Sequence, residues 1–211
     1  MYITDWISNN YIEIFGAVTG ILYVFLEIKQ NIWLWPVGIT TSAVYIWVFF
    51  TSKFYADMSL QGYYLVISIL GWYWWVRRKN GRMGEWEKGG RRKSESESES
   101  ESERLRVTRI NVRTTLILSV LFLVLQAVMY MVLDRLTDSP VPFWDSFITT
   151  LSVIATWMLA RKIYEHWYLW IIVNAASVII FCIKGLYPTV VLYIIYCVMS
   201  FIGLREWKKS L

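Results

Sequence analysis

Long runs of apolar residues alternate with short polar segments along most of the chain. Seven runs can be marked, at residues 11–28, 32–50, 58–76, 114–133, 145–160, 167–183 and 188–204. A helix rises 1.5 Å per residue, so runs of about 17–20 residues reach across a hydrocarbon core of about 30 Å. The pattern predicts an all-α polytopic membrane protein with seven transmembrane helices.

The composition agrees with this pattern, because only 18% of the residues are charged and the mean hydropathy is +0.42. Soluble domains carry about 25% charged residues. Twelve of the 21 lysines and arginines lie between Arg77 and Arg113, so the basic excess belongs to one loop and does not indicate a nucleic-acid partner. Within that loop, residues 94–103 read SESESESESE, which predicts a disordered spacer.

Basic residues also predict the orientation of the helices in the membrane. The loop at 77–113 is strongly basic, Arg161 and Lys162 follow the fifth run, and Arg205 follows the seventh. The loop after the fourth run, at 134–145, has three acids and one arginine. Because cytoplasmic loops carry an excess of lysine and arginine, we expect the N-terminus outside and the C-terminus in the cytoplasm.

The chain contains an internal repeat at a spacing of 132 residues. Matching pairs include Trp35 with Trp167, Tyr55 with Tyr187, Tyr64 with Tyr196, Gly71 with Gly203 and Trp75 with Trp207. The repeat predicts two three-helix units, at 11–76 and 145–207, separated by the loop 77–113 and a linker helix at 114–133. An odd linker makes both units start on the same side of the membrane. The predicted architecture is therefore 3+1+3 with parallel repeats, a symmetry found in SWEET sugar transporters.

Polar and aromatic residues share one face of the third predicted helix, at positions Gln61, Tyr64, Ser68, Trp72 and Trp75. Polar groups in a bilayer are costly unless they face protein or a water-filled cavity. This face should therefore point inward, whereas Trp74 points elsewhere and suits the membrane interface. Trp75 lies near the cytoplasmic end and could serve either role.

A matching set lies in the second unit, where Trp170 and Asn174 are four residues apart and Tyr193 and Tyr196 follow on the last helix. Tyr45 on the second helix could also line a cavity. Walls of indole and phenol rings with a few amides suit a flat cationic heteroaromatic ligand, through cation–π attraction and hydrogen bonds. An alternative for Asn174 is that its amide merely ties two helices together.

Several kinds of chemistry lack support in the sequence. There is no phosphate loop of the GxxxxGK[ST] type and no HExxH or similar pair of metal ligands, so we expect neither an enzyme nor a cofactor. The single histidine, His166, lies beside Glu165 in a short loop and is interpreted as a satisfied interfacial residue. Glu27 and the other acids lie near helix ends, so the sequence favours passive diffusion by alternating access over ion coupling.

These residues resemble the PnuC-type vitamin transporters. The resemblance rests on GWYWW at 71–75 with Gln61 upstream, PFWDS at 142–146, LARKIYEHWYLWIIVNAASVIIF at 159–181 and GLYPTVVLY at 185–193. It implies a homotrimer in the bacterial inner membrane that takes up nicotinamide riboside by facilitated diffusion. A cytoplasmic kinase would then trap the substrate for NAD synthesis. The matching motif residues are Gln61, Trp72, Trp75, Trp170 and Asn174.

Two positions depart from the family pattern, because Ser68 and Ile202 stand where riboside-carrying members are expected to have asparagine. Each buried hydrogen bond contributes about 0.5–1.5 kcal/mol, so loss of two amides should weaken recognition of the ribose. Related proteins of the PnuT type are similar in pattern and carry thiamine, which is also a cationic heteroaromatic. A thiamine transporter is therefore the alternative.

Overall fold

The chain is described by a computed structural model at residues 11–51, 55–86, 107–136, 141–183 and 185–211, and within these ranges it is α-helical. The seven helices there are α1 (Tyr11–Ile28), α2 (Leu34–Thr51), α3 (Tyr55–Trp86), α4 (Val112–Leu136), α5 (Pro142–Ala160), α6 (His166–Ile183) and α7 (Tyr187–Lys208). Each begins within a few residues of a predicted apolar run. The Ser-Glu segment at 94–103 lies outside the described residues.

Five of these helices, α2 and α4 to α7, are long and apolar enough to cross a membrane, and α1 contains a shorter apolar helix at Ile14–Ile28. The helix α3 is not among these five, although it carries the predicted run 58–76. Tyrosine and tryptophan are frequent in that run, and hydropathy scales count their rings as weakly polar. The all-α polytopic architecture predicted from the sequence is confirmed. The division into domains stays a prediction.

The linker helix α4 packs against α5 alone among the described helices. Leu116, Val120 and Leu123 each expose more than 60% of their surface. Large apolar side chains on the outside of a membrane protein face lipid or another subunit. Contact with either avoids the unfavourable free energy of exposing apolar surface to water.

A cluster of buried apolar residues lies at the end where α1, α5 and α7 finish, where α2 and α6 begin, and where α3 passes with Ile67 and Trp75. Its centre is made of four buried tryptophans, Trp35, Trp75, Trp167 and Trp207, which we call the aromatic core. The rings of Trp35 and Trp75 meet edge-on at 5.3 Å, and those of Trp167 and Trp207 meet edge-on at 5.8 Å. This arrangement is the preferred one for aromatic pairs.

The third helix of each repeat packs against the first helix of the other repeat, so that α3 contacts α5 and α7 contacts α1. Two indole hydrogen bonds join the same pairs of helices. Nε1 of Trp75 donates to the carbonyl of Ala160 at 3.2 Å, and Nε1 of Trp207 donates to the carbonyl of Glu27 at 3.0 Å. Two tryptophans 132 residues apart thus bind the last turns of α1 and α5.

The turns after α1 and α5 are equivalent in the repeat and touch each other. Gln30 and Lys162, 132 residues apart, both adopt left-handed backbone angles, with φ of 51° and 55°. Nζ of Lys162 donates to Oε1 of Gln30 at 3.3 Å and lies 4.2 Å from the ring centre of Trp75. Residues at equivalent positions of the sequence repeat are therefore in direct contact.

Two glycines allow the aromatic core to pack. A Cβ atom on Gly71 would overlap the ring of Trp35, and one on Gly203 would overlap the ring of Trp167. A Cβ on Gly62, in contrast, would meet no heavy atom within 4 Å. Close packing of the aromatic core therefore requires glycine at Gly71 and Gly203, whereas Gly62 has room for a larger side chain.

We expect Gly71→Ala and Gly203→Ala each to lower thermal stability in detergent, because overpacking costs about 1–3 kcal/mol. Gly62→Ala is the matched control within α3 and should be neutral or stabilising, since alanine favours helix by about 1 kcal/mol. Thermal unfolding of the three variants provides the comparison. Equal shifts at Gly62 and Gly71 would contradict the packing described here.

Candidate functional site

A cavity of about 310 Å³ lies between the two repeats. Its lining comes from six helices and is mostly aromatic or polar, comprising Thr19, Gly20, Tyr23, Val24, Glu27, Gly38, Thr41, Ser42, Gln61, Tyr64, Ser68, Ile148, Ser152, Thr156, Trp167, Trp170, Val173, Asn174, Tyr193, Tyr196 and Ser200. Small-molecule sites have volumes of about 300–1,000 Å³, so the cavity fits one ligand of modest size.

Seven of the ten residues proposed from the sequence line this cavity, namely Gln61, Tyr64, Ser68, Trp170, Asn174, Tyr193 and Tyr196. The structure brings these residues together from α3, α6 and α7. They supply indole and phenol rings, two amides and a hydroxyl. These seven residues line one cavity, and their role in substrate binding stays a prediction.

Three of the ten do not line the cavity. Trp72 is 42% exposed, Trp75 belongs to the aromatic core, and the ring of Tyr45 lies 5.7 Å from that of Phe49. Helical spacing places Trp72 and Trp75 on the same face as Ser68. Beyond Ser68, however, the ring of Trp35 lies against Gly71, and the cavity does not extend along that face.

Hydrogen-bonding groups of the lining remain available for a ligand. Nδ2 of Asn174 donates to Oγ of Ser200 at 3.0 Å, which ties α6 to α7 as the alternative reading suggested. Within the described part of the chain, Oδ1 of Asn174 and the amide of Gln61 have no hydrogen-bond partner. The buried Nε1 of Trp170 likewise has no partner there. The cavity therefore offers both donors and acceptors.

The two departures from the family pattern differ in their positions. Ser68 is buried and lines the cavity, whereas Ile202 is 51% exposed on the outside of α7. The residue of α7 that corresponds to Ser68 in the repeat is Ser200, 132 residues later, and it also lines the cavity. Isoleucine at position 202 therefore takes no polar group away from the cavity. Of the two departures, only Ser68 is expected to weaken recognition of the ribose.

Sequence reasoning missed the role of a buried pair at one end of the cavity. Oε1 of Glu27 lies 3.0 Å from Nε2 of His166, and Nδ1 of His166 lies 2.7 Å from the carbonyl of Ile163. Both side chains are almost fully buried, and Glu27 lines the cavity. His166 is thus satisfied, but by Glu27, while Glu165 accepts a hydrogen bond from the N–H of Ile110.

A signal for this pair does exist in the repeat. The positions equivalent to Glu27 and His166 are Leu159 and Leu34, and both leucines are fully buried. One half of the protein thus has an apolar pair where the other half has an ionisable pair. Such an asymmetry in a membrane protein marks a position under functional demand.

The chain is similar in sequence to known membrane transporters. The family model described as nicotinamide mononucleotide transporter matches residues 10–209. The nicotinamide riboside transporter PnuC of Escherichia coli (strain K12) is 30% identical over 206 residues, which cover 95% of this chain and 86% of that protein. The riboflavin/roseoflavin transporter RibM of Streptomyces davaonensis is 20% identical over 203 residues, which cover 92% and 83% of the two chains.

A crystal structure of the vitamin B3 transporter PnuC has the same fold, with a TM-score of 0.69 over 96% of this chain and 83% of that chain, at 23% sequence identity. No cluster of three or more potential metal ligands occurs in the ranges that the structure describes. The family match spans almost the entire chain, including every helix that contributes to the cavity. The chain is a multi-pass membrane protein and belongs to the nicotinamide mononucleotide transporter family.

Proposed function

We propose that this protein takes up nicotinamide riboside across the bacterial inner membrane by facilitated diffusion, and that intracellular phosphorylation traps the substrate for NAD synthesis. The observation that carries the proposal is the cavity between the repeats, whose rings and amides suit a pyridinium riboside. The relation to the E. coli nicotinamide riboside transporter over 95% of the chain supports the same substrate.

The lining can recognise both parts of such a ligand. Trp170, Tyr64 and Tyr196 provide aromatic surfaces for the pyridinium ring, and a cation over such a ring gains about 0.5–2 kcal/mol. Gln61 and Oδ1 of Asn174 offer hydrogen bonds to the ribose hydroxyls or the carboxamide. The proposed substrate site consists of the seven predicted residues that line the cavity.

The architecture and orientation are part of the proposal. The reciprocal packing of α3 on α5 and of α7 on α1 supports two parallel three-helix units joined by α4. The basic residues Arg161 and Arg205 support a cytoplasmic C-terminus. We further propose that the subunits form a homotrimer, as the family resemblance implies, and that the exposed apolar face of α4 contributes to their contacts. A reporter fused after Leu211 tests whether the C-terminus is cytoplasmic. Native mass spectrometry tests the number of subunits.

The substrate is tested by calorimetric titration of the purified protein with nicotinamide riboside, thiamine and riboflavin, followed by uptake into proteoliposomes. We expect saturable binding and uptake of the riboside, with the other two ligands at least tenfold weaker (a difference of about 1.4 kcal/mol). Tight binding of thiamine alone would assign the chain to the thiamine carriers. Binding without accumulation in vesicles would indicate a receptor, and absence of all binding would contradict the proposed cavity.

A further inference from the structure

We propose that Glu27 makes the cavity selective for organic cations over neutral ligands of the same shape, and that a bound cation replaces the proton that Glu27 shares with His166. This inference rests on the proposed function for its choice of ligand. The supporting observations are the geometry of the pair, the place of Glu27 in the cavity wall and the absence of the pair from the other repeat.

Hydrogen-bond geometry fixes the number of protons on the pair. The carbonyl of Ile163 can only accept a hydrogen bond, so Nδ1 of His166, at 2.7 Å, must carry a proton and donate it. The contact of 3.0 Å between Nε2 and Oε1 of Glu27 then requires one further proton between these two atoms. Whichever atom holds that proton, Glu27 and His166 together carry no net charge.

Glu27 also belongs to the wall of the cavity. Glu27 is the one acidic residue among the described residues that line it. Oε1 is bonded to His166, while Oε2 has no hydrogen-bond partner in the described ranges. The backbone carbonyl of Glu27 accepts a hydrogen bond from the indole N–H of Trp207, and this bond holds the last turn of α1 in place beside the cavity.

Other ionisable groups do not replace this function. The titratable side chains that share the lining with Glu27 are phenols, Tyr23 on α1, Tyr64 on α3, and Tyr193 and Tyr196 on α7, while α2 and α5 contribute none. On α6, His166 is the partner of Glu27, and Tyr168 is 48% exposed and does not line the cavity. Nζ of Lys162 contacts Gln30 and the ring of Trp75, and Lys29 is exposed after α1.

Packing does not explain the pair, because the fold accommodates Leu34 and Leu159 at the equivalent positions. A buried ionic pair contributes little net stability relative to apolar residues of similar volume. When a cation enters, the shared proton leaves to solvent and the hydrogen bond between Nε2 of His166 and Oε1 of Glu27 breaks. The negative carboxylate then turns from His166 to the cation, while His166 stays neutral and still donates from Nδ1 to the carbonyl of Ile163. The total charge of the occupied cavity is then unchanged, whereas a neutral ligand gains nothing from that loss.

Two ligands and one conservative variant test the inference. Nicotinamide riboside is a cation, and its 1,4-dihydro form is neutral and nearly the same size. Wild-type protein should prefer the cation by about tenfold or more. Glu27→Gln can still donate a hydrogen bond to Nε2 of His166, so it should fold. We expect this variant to lose the preference, with binding of the neutral form changed less than threefold. A retained preference, or equal weakening of both ligands, would overturn the assignment.

Proton release provides a second readout that a purely structural role would not affect. Binding enthalpies measured in two buffers of different ionisation enthalpy should indicate release of up to one proton per cation bound by the wild type. The neutral ligand, and Glu27→Gln with either ligand, should release none. Wild-type binding of the cation without proton release would contradict the exchange.

Failure of the proposed substrate remains distinguishable from failure of this inference. If wild-type protein binds neither form of the riboside, the substrate assignment is wrong. The same comparison is then made with cationic thiamine and its neutral oxidation product thiochrome. A preference for thiamine that Glu27→Gln abolishes would support the role of Glu27, and any other result with this pair would overturn it.

Discussion

Replacement of Trp170 by alanine is expected to weaken binding of nicotinamide riboside by about 5- to 150-fold, since stacking of a base on an aromatic side chain contributes about 1–3 kcal/mol. Trp170 lines the cavity and its buried Nε1 has no partner in the described part of the protein. The substitution removes both an aromatic wall and an unused hydrogen-bond donor. Calorimetric titration gives the affinity, and uptake by proteoliposomes should fall with it.

The matched control for this prediction is Trp47→Ala. Trp47 is 69% exposed on α2 and does not contribute to the cavity, so its loss should change affinity less than twofold. Phenylalanine at position 170 would retain the ring but not the donor, and should give an intermediate affinity. If Trp170→Ala and Trp47→Ala bind equally well, the cavity is not the substrate site.

Trp207→Ala is expected to lower the free energy of unfolding by about 3–5 kcal/mol, the range for loss of a large buried ring. Trp207 is fully buried, its ring packs edge-on against Trp167 and His166, and its Nε1 donates to the carbonyl of Glu27. The substitution leaves a cavity in the aromatic core and an unpaired carbonyl at the end of α1. Unfolding in mixed detergent and denaturant measures the loss.

Two further variants separate the contributions to this effect. Trp207→Phe keeps most of the packing and removes only the hydrogen bond, so it should cost less, about 1–3 kcal/mol. Trp33→Ala removes a tryptophan that is 65% exposed and should cost under about 0.5 kcal/mol. A Trp207→Ala protein as stable as the Trp33→Ala protein would show that the aromatic core does not stabilise the fold.

The helices could be predicted from the sequence because the bilayer allows few solutions. An apolar run of sufficient length has to form a helix in lipid, since all of its backbone groups must be satisfied internally. The runs at 11–28 and 167–183 therefore match α1 and α6 within one residue. The end of α3 was less predictable, because its extension to Trp86 is polar, contains Gly81 and Gly84, and shows no apolar pattern.

The site was only partly predictable, for two physical reasons. Helical spacing shows that Ser68 and Trp72 share a face, but only the fold shows that Trp35 lies against Gly71 and ends the cavity there. The second reason is distance along the chain, since Glu27 and His166 are 139 residues apart. Both lie near helix ends, a position that usually indicates contact with water or headgroups.

The two indole hydrogen bonds between the repeats stabilise the protein against opening at the aromatic core. Separating α3 from α5 breaks the bond of Trp75 to Ala160, and separating α7 from α1 breaks that of Trp207 to Glu27. At about 0.5–1.5 kcal/mol each, the two bonds favour the closed form by about 1–3 kcal/mol, or 5- to 150-fold in population. Each repeat contributes one of the two bonds, so separation of one helix pair removes about half of this stabilisation. A gain of about 1–3 kcal/mol in ligand contacts would offset both bonds.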